Sequence, residues 1–269
     1  MSISKAKFDK IRSLFSGKRV LVAFSGGVDS TVLAHMAKQS AAKSKLLTVD
    51  SITFPRTELQ AARDVARELG IALEIIQVDE LSNNDLASNP IDRCYYCKKE
   101  LSSLWLKAAK DLGMNLVVEG TNASDMEGHR PGARALEEAG VISPFRDAGI
   151  TKDEIRAYAR EAGLSVADRP SMACLSSRFP YGTRITEDRV RKIDRVEQEV
   201  QKLFGVKCVR ARFHGDLVRI EVGREERAKL FDEIKLDKLN ALAKDAGFKY
   251  VTLDVFGYRT GAMNEALEP

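Results

Sequence analysis

The chain has 269 residues and a mass of 29.8 kDa, enough for one large domain or a large domain with a small one. A hydrophobic fraction of 44% beside 30% charged residues excludes a disordered chain, and no apolar run approaches the ~20 residues of a membrane span, so no membrane partner is expected. The net charge of +4 (43 Lys and Arg against 39 Asp and Glu) is too slight to mark a nucleic-acid binder, although it suits an anionic small molecule.

The first half alternates short apolar runs with helical patterns. Arg19–Ala23 reads as a buried strand, followed by a helix from about Ser30 to Gln39. Lys45–Val49 is the next strand, Thr57–Leu69 a helix stopped by Gly70, and Leu73–Val78 a third strand. Leu101–Leu112 is helical and closed by Gly113, and Asn115–Glu119 gives a fourth strand. Repeated strand–helix units predict an α/β fold with a Rossmann-like parallel sheet, whose ligands bind beyond the carboxyl ends of the strands. Thr151–Ala162 is a helix, Gly163–Thr186 is rich in Pro, Ser, Gly and Arg, and Glu187–Phe204 is a long polar helix. Lys207–Phe213 and Leu217–Val222 flank a hairpin turn at His214–Asp216, helical stretches lie between Arg224 and Ala246, and Tyr250–Phe256 is a last strand. These patterns predict a nucleotide-type domain over residues 1–184 and a smaller α+β domain over 185–269.

Ser25-Gly26-Gly27-Val28-Asp29-Ser30 directly follows the first strand and opens a helix. Exposed N–H groups at that helix start favour an anion, the glycines let backbone approach phosphate, and Ser25 and Ser30 carry hydroxyls. Asp29 would repel bare phosphate, so its presence points to a Mg²⁺ bridge. The plainer alternative is a tight turn with a serine cap. The string lacks the Lys of G-x-x-x-x-G-K-[ST] and resembles the PP-loop ATP pyrophosphatases, which cleave ATP between the α and β phosphates. That resemblance implies nucleotide contacts after the second and fourth strands, at Asp50, Ser51, Gly120, Thr121 and Asp125, residues that ordinary loop capping also explains.

No signal-peptide core begins the chain, so a cytoplasmic location is expected, and the four cysteines then read as metal ligands or reactive thiols rather than a disulfide framework. Cys94 and Cys97 form a C-x-x-C, Cys174 lies far along the chain, and Cys208 sits in an apolar pattern as a core residue. With only three cysteines expected in loops and no histidine at metal-finger spacing, structural zinc fits poorly. Three thiolates suit a [4Fe–4S] cluster with one iron lacking a protein ligand; three unrelated thiols are the plainer alternative.

The phosphate loop, Glu119–Asp125, His129-Arg130-Pro131-Gly132, Ser143-Pro144-Phe145, Ala173–Gly182 and Gly257–Asn264 occur in that order. Together they resemble the LarE family of ATP-dependent sulfur transferases over nearly the whole chain. The resemblance implies adenylation of a carboxylate of pyridinium-3,5-biscarboxylic acid mononucleotide and its conversion to a thiocarboxylate, in the synthesis of the nickel-pincer nucleotide cofactor. It implies a homo-oligomer with ATP, Mg²⁺ (through Asp29) and, for members with an added cysteine pair, a [4Fe–4S] cluster on Cys94, Cys97 and Cys174. In other members the cysteine at the Cys174 position is itself the catalytic sulfur donor and becomes dehydroalanine.

The mononucleotide substrate carries a phosphate. Arg210 and Arg212 alternate on one strand and share a face, where two guanidiniums suit a bridging anion; a solvated strand face is the alternative. Ser177 and Arg259 are weaker substrate candidates, Arg169 or Arg178 can favour a Cys174 thiolate, and Arg130 and Arg134 can neutralise nucleotide phosphate. His35 and His129 offer proton transfer, though packing roles are commoner, and Trp105 lies in an apolar helical stripe. A tRNA thiolation enzyme is the nearest rival and would need a broad basic surface, but residues 186–269 hold 17 Lys and Arg against 16 Asp and Glu, so no strongly basic tail is expected. An ATP-dependent amide-forming ligase would leave the three cysteines without a task, and pyrophosphate release separates an enzyme from a nucleotide-binding regulator.

Overall fold

The computed structural model describes residues 4–126, 130–170, 173–259 and 261–262. Its elements run α1 (Lys5–Phe15), β1 (Arg19–Ala23), α2 (Val28–Ser40), β2 (Lys43–Asp50), α3 (Arg56–Leu69), β3 (Leu73–Gln77), α4 (Asn84–Ala87), α5 (Arg93–Asp111), β4 (Leu116–Val118), α6 (Pro131–Ala139), α7 (Pro144–Asp147), α8 (Lys152–Glu161), α9 (Glu187–Phe204), β5 (Val209–His214), β6 (Leu217–Val222), α10 (Glu233–Asp245) and β7 (Tyr250–Leu253). The chain forms two compact units: residues 1–78 with 92–172, and residues 79–91 with 173–269. The second unit thus takes in both the short insert around α4 and the segment that begins at Ala173.

In the first unit four parallel strands lie in the order β3-β2-β1-β4. Val20, Leu21 and Val22 of β1 are buried, as a central parallel strand covered on both faces requires. One core packs Phe8, Phe15, Val32, Leu33, Met36, Ala62 and Phe145 together. A second joins Leu21, Leu47, Val117 and Leu136 to Trp105, which is a core residue of α5. Each parallel pair needs a crossover, so every strand ends at the same edge of the sheet, and β1 delivers its turn there beside the starts of α2 and α3.

The second unit is a three-stranded sheet in the order β5-β6-β7 with α9 and α10. β5 and β6 form an antiparallel hairpin around Gly215 (φ +68°), while β7 runs parallel to β6. β7 ends at Leu253 rather than Phe256 because the Asp254 carboxylate accepts the N–H groups of Phe256 and Gly257, both at 2.9 Å, turning the chain. Asn89, buried at φ +58°, donates to the carbonyls of Phe179, Pro180 and Thr183, which ties the α4 insert to the Ala173–Gly182 segment. Among the described residues no helix is long and apolar enough to cross a membrane.

Candidate nucleotide site and candidate sulfur-donor thiols

The turn between β1 and α2 is closed by its own serines. The Ser30 hydroxyl accepts the Ser25 N–H and donates to the Gly27 carbonyl, both at 3.2 Å, and lies 3.2 Å from Ser25 Oγ. Gly26 is left-handed (φ +72°), and a Cβ there would stand 2.7 Å from Ala62 Cα on α3, so only glycine fits. Gly27 differs: it is the N-cap of α2 at φ −77°, and a Cβ there would meet only Ser25 Oγ at 3.4 Å. Among the described residues no side chain caps α2, which leaves its first N–H groups to the turn's concavity.

Asp29, in the first turn of α2, is half-buried and paired with Lys152 Nζ. Burial raises its proton affinity; Lys152 works against that, and neighbouring Asp125 adds to it, leaving the carboxyl above its ordinary range. Asn122 Nδ2 donates to Asp29 at 3.2 Å and to Asp125 at 2.7 Å, so one amide joins the two carboxylates. Gly120 follows β4 so closely beside α2 that a Cβ would lie 3.0 Å from Asp29 Cβ and 3.2 Å from Ser30 N. Thr121 is fixed by buried Glu119, which accepts its N–H (3.0 Å) and hydroxyl (2.8 Å) and the Ser143 hydroxyl (2.5 Å). At the end of β2, Asp50 pairs with Arg56 at 2.6 Å, and Ser51 is buried with its hydroxyl 3.3 Å from Thr53 Oγ1. Ser25, Gly26, Gly27, Asp29, Ser30, Gly120, Thr121 and Asp125 are therefore gathered round one helix start, with Asp50 and Ser51 at the neighbouring strand end.

Lys152 and Arg56 complete this region without having been singled out by the sequence, and Glu119 and Asn122 lay within the Glu119–Asp125 motif without an assigned role. One signal for Lys152 was present. Thr151-Lys152-Asp153-Glu154 is a capping box, and a lysine at the first position of a helix opposes the helix dipole, which implies a particular anionic partner. His35 turns to Tyr158 (3.3 Å) and Gln39 (3.3 Å), and burial lowers its pKa; His129 lies outside the described residues. Arg134 stacks on the Tyr95 ring at 4.3 Å and pairs with Glu138.

Cys94 and Cys97 are not in a loop. α5 begins at Arg93, two turns before the expected Leu101, and both thiols lie in its first turns, Cys94 exposed and Cys97 half-buried. Cys174 is exposed in the second unit, just ahead of the short 3₁₀ turn Leu175–Arg178. Cys208 is buried there, and burial pushes its thiol pKa up. Among the described residues no three His, Cys, Asp or Glu side chains are gathered as a metal-binding group.

The Cys174 turn rests on a buried ion pair. Arg178, fully buried, donates to both oxygens of Glu197 at 2.6 and 3.0 Å, and Glu197 also accepts the Ala211 N–H of β5 at 2.8 Å. The third arm of Arg178 reaches the Ala173 carbonyl (3.2 Å) and Ser177 Oγ (2.8 Å), and Ser177 Oγ donates to the Cys174 carbonyl at 2.9 Å. Arg210 and Arg212 are buried rather than part of a solvated face. Arg212 donates to Glu221 at 2.7 Å and to the Ser177 carbonyl at 2.8 Å; Arg210 lies over the Tyr258 ring at 4.9 Å, its pKa lowered by burial and by the Arg178 charge. Arg259 stacks on Phe256 at 4.7 Å.

A parallel sheet that aims a Ser-Gly-Gly-Val-Asp-Ser turn past its carboxyl edge, with a smaller unit appended, defines an α/β protein of the PP-loop type. Consistent with this, the family model described as "Queuosine biosynthesis protein QueC" matches residues 19–107. The chain is 35% identical to pyridinium-3,5-bisthiocarboxylic acid mononucleotide synthase of Lactiplantibacillus plantarum over 99% of its own length and 96% of that protein, and it belongs to this synthase family, LarE. It is also 37% identical to an uncharacterised Synechocystis protein, over 98% of each chain. An uncharacterised protein of Methanocaldococcus jannaschii is similar at 27% identity, over 94% of this chain and 95% of that one.

Proposed function

We propose that this protein is an ATP-dependent sulfur transferase that adenylates a carboxylate of pyridinium-3,5-biscarboxylic acid mononucleotide and converts it to a thiocarboxylate. The observation that carries the reading is the convergence of the Ser25–Ser30 turn, Asp29, Lys152 and Gly120 at one helix start, in a chain related end to end to a synthase of that class. The turn holds the β and γ phosphates of ATP on N–H groups at the start of α2, with Ser25 and Ser30 adding hydroxyls and Asp50, Ser51, Gly120 and Thr121 contacting the nucleotide. Asp29, with Asp125 beside it, has the oxygen chemistry to hold Mg²⁺, which when bound would offset the charge of the phosphates.

A carboxylate repels an incoming thiolate by its own charge. Attack of the substrate carboxylate oxygen on the α phosphorus forms the O–P bond and breaks the bond to the β-phosphate bridge, releasing pyrophosphate. The acyl-adenylate then presents a carbonyl with AMP as leaving group. The Cys174 thiolate can attack it, expelling AMP and leaving a thioester; loss of the Cys174 Cα proton with cleavage of Cβ–Sγ frees the thiocarboxylate and leaves dehydroalanine. Cys94, Cys97 and Cys174 are unbridged thiols whose donor chemistry fits a [4Fe–4S] cluster, which when bound supplies sulfide and spares Cys174. Ser177, Arg210, Arg212 and Arg259 receive the mononucleotide phosphate; the second unit, which takes in residues 79–91 and 173–184 besides the 185–269 expected from the sequence, serves substrate binding and self-association in a homo-oligomer, and the first unit serves the nucleotide.

The test adds ATP, Mg²⁺ and the biscarboxylic mononucleotide to anaerobically purified protein and measures pyrophosphate and thiocarboxylate. Both products are expected; pyrophosphate without sulfur transfer would favour an amide-forming ligase, and no pyrophosphate a nucleotide-binding regulator. Iron and sulfide analysis of wild type, Cys94→Ala and Cys174→Ala decides the donor: iron lost in both variants supports the cluster, whereas colourless wild type losing the elements of H₂S at Cys174 supports sacrifice.

A further inference from the structure

Arg169 lies in the first unit, behind the phosphate turn. Its guanidinium donates to Glu58 Oε1 at 2.8 Å and to the Gly26 carbonyl at 3.3 Å. Glu58, in the first turn of α3, is buried, and the Arg169 side chain is three-quarters covered. The backbone of Arg169 is pinned in turn: Arg156 on α8 donates to the carbonyls of Ala167 (2.5 Å) and Arg169 (2.8 Å). Arg156 stands four residues after Lys152, on the same helix face, so α8 both pairs with Asp29 through Lys152 and holds the backbone that carries Arg169 through Arg156.

The acceptor of that contact matters. In a trans peptide the C=O of one residue and the N–H of the next point in opposite directions. Drawing the Gly26 oxygen back toward Arg169 turns the Gly27 N–H forward, where it meets Ser25 Oγ at the long distance of 3.4 Å. Gly26 is the left-handed hinge of the turn, and glycine there would otherwise allow this peptide to rotate. We infer that Arg169, held by Glu58, is a positioning residue that locks the Gly26–Gly27 peptide so that the Gly27 N–H is presented to a bound polyphosphate. This rests on the assignment of the turn as a pyrophosphate cradle. The guanidinium also polarises the peptide, since a charge on the carbonyl side strengthens the N–H as a donor.

Inorganic pyrophosphate with Mg²⁺ is the probe, titrated calorimetrically into the full-length protein and into Arg169→Gln, Arg169→Lys and Glu58→Gln. Wild type is expected to bind. Arg169→Gln should weaken pyrophosphate about tenfold, the scale of one charge-assisted hydrogen bond. Arg169→Lys should recover only part, because a single ammonium cannot span two acceptors as the guanidinium fork does. Glu58→Gln discriminates best. If Arg169 positions the peptide, loosening its anchor weakens pyrophosphate binding; if Arg169 contacts the anion itself, releasing it leaves binding unchanged or tighter, and the inference is overturned. Variants with lowered urea midpoints but wild-type pyrophosphate affinity would likewise overturn it, as a purely structural brace. Should Arg169→Gln fail to fold, Arg169→Lys and Glu58→Gln carry the same comparison. Wild type that does not bind pyrophosphate removes the cradle assignment and this inference together, whereas wild-type binding with unaffected variants removes this inference alone.

Discussion

Replacing Arg178 by methionine tests whether the Cys174 turn is held by a buried ion pair. The substitution leaves the Glu197 carboxylate, itself 9% exposed, with the Ala211 N–H as its hydrogen-bond donor, and strips donors from the Ala173 carbonyl and Ser177 Oγ. Breaking a buried pair by removing one partner costs about 3–5 kcal/mol, because the other charge stays desolvated. Methionine refills much of the volume, so little of that loss is cavity. The double variant Arg178→Met/Glu197→Gln removes the stranded charge while the Gln carbonyl can still accept from Ala211, and it should recover more than half of the loss. In urea unfolding, mass-spectrometric labelling of buried Cys208 reads the second unit, the single tryptophan, Trp105, reports on the first, and far-UV circular dichroism follows both together. A loss below about 1 kcal/mol, or a double variant no more stable than the single, would refute the assignment of Arg178 as the support of this turn.

Three further outcomes follow from single sites. At Glu226, burial opposes the charged form but is outweighed by the N–H groups of Cys208 and Lys207 and by Lys229, so its pKa is lowered from 4.5. A depressed carboxylate stabilises the fold above the unfolded value and loses that contribution as pH falls through the folded one; wild type should therefore lose urea stability more steeply than Glu226→Gln below about pH 4.5, and parallel curves would contradict this. Gly26→Ala should cost at least ~2 kcal/mol from the left-handed backbone and the 2.7 Å approach to Ala62, while Gly27→Ala leaves the urea midpoint near wild type; equal effects would show that the turn's geometry is misassigned. Lys152→Met should raise the Asp29 carboxyl pKa further in nucleotide-free protein, measured by carbon-detected NMR titration, and an unchanged value would mean that Lys152 does not hold this carboxylate.

The parallel sheet was legible because its strands are continuous apolar runs between turn residues. Arg19–Ala23 is reproduced residue for residue, and the other three strands differ from expectation by one to three residues in total. Where periodicity fades, so does the reading. Arg93-Cys94-Tyr95-Tyr96-Cys97-Lys98-Lys99-Glu100 has no apolar stripe, yet it forms the first two turns of α5. Its aromatic and charged groups are used locally, with Tyr95 donating to Glu138 at 2.6 Å and Lys98 lying over Trp105 at 5.2 Å, contacts that a hydrophobic pattern cannot report.

The site divides along the same physical line. Residues that act through backbone shape are local: a glycine that must be left-handed and a serine that closes its own turn announce themselves within six positions. Residues that act through charge find partners at any sequence distance. Asp29 and Lys152 are 123 positions apart, Arg169 and Glu58 are 111 apart, and Arg212 and Glu221 meet only because the hairpin register brings β5 beside β6. The spacing of Arg210 and Arg212 gave the shared strand face but not the fact that Glu221 already neutralises one of the two. An anion that joins these arginines must compete with a carboxylate in place, so Glu221 weighs against phosphate there as much as the guanidiniums weigh for it. Glu221→Gln should for that reason tighten binding of the mononucleotide if Arg210 and Arg212 receive its phosphate, and weaker or unchanged binding, measured by calorimetric titration, would move the phosphate elsewhere on the chain.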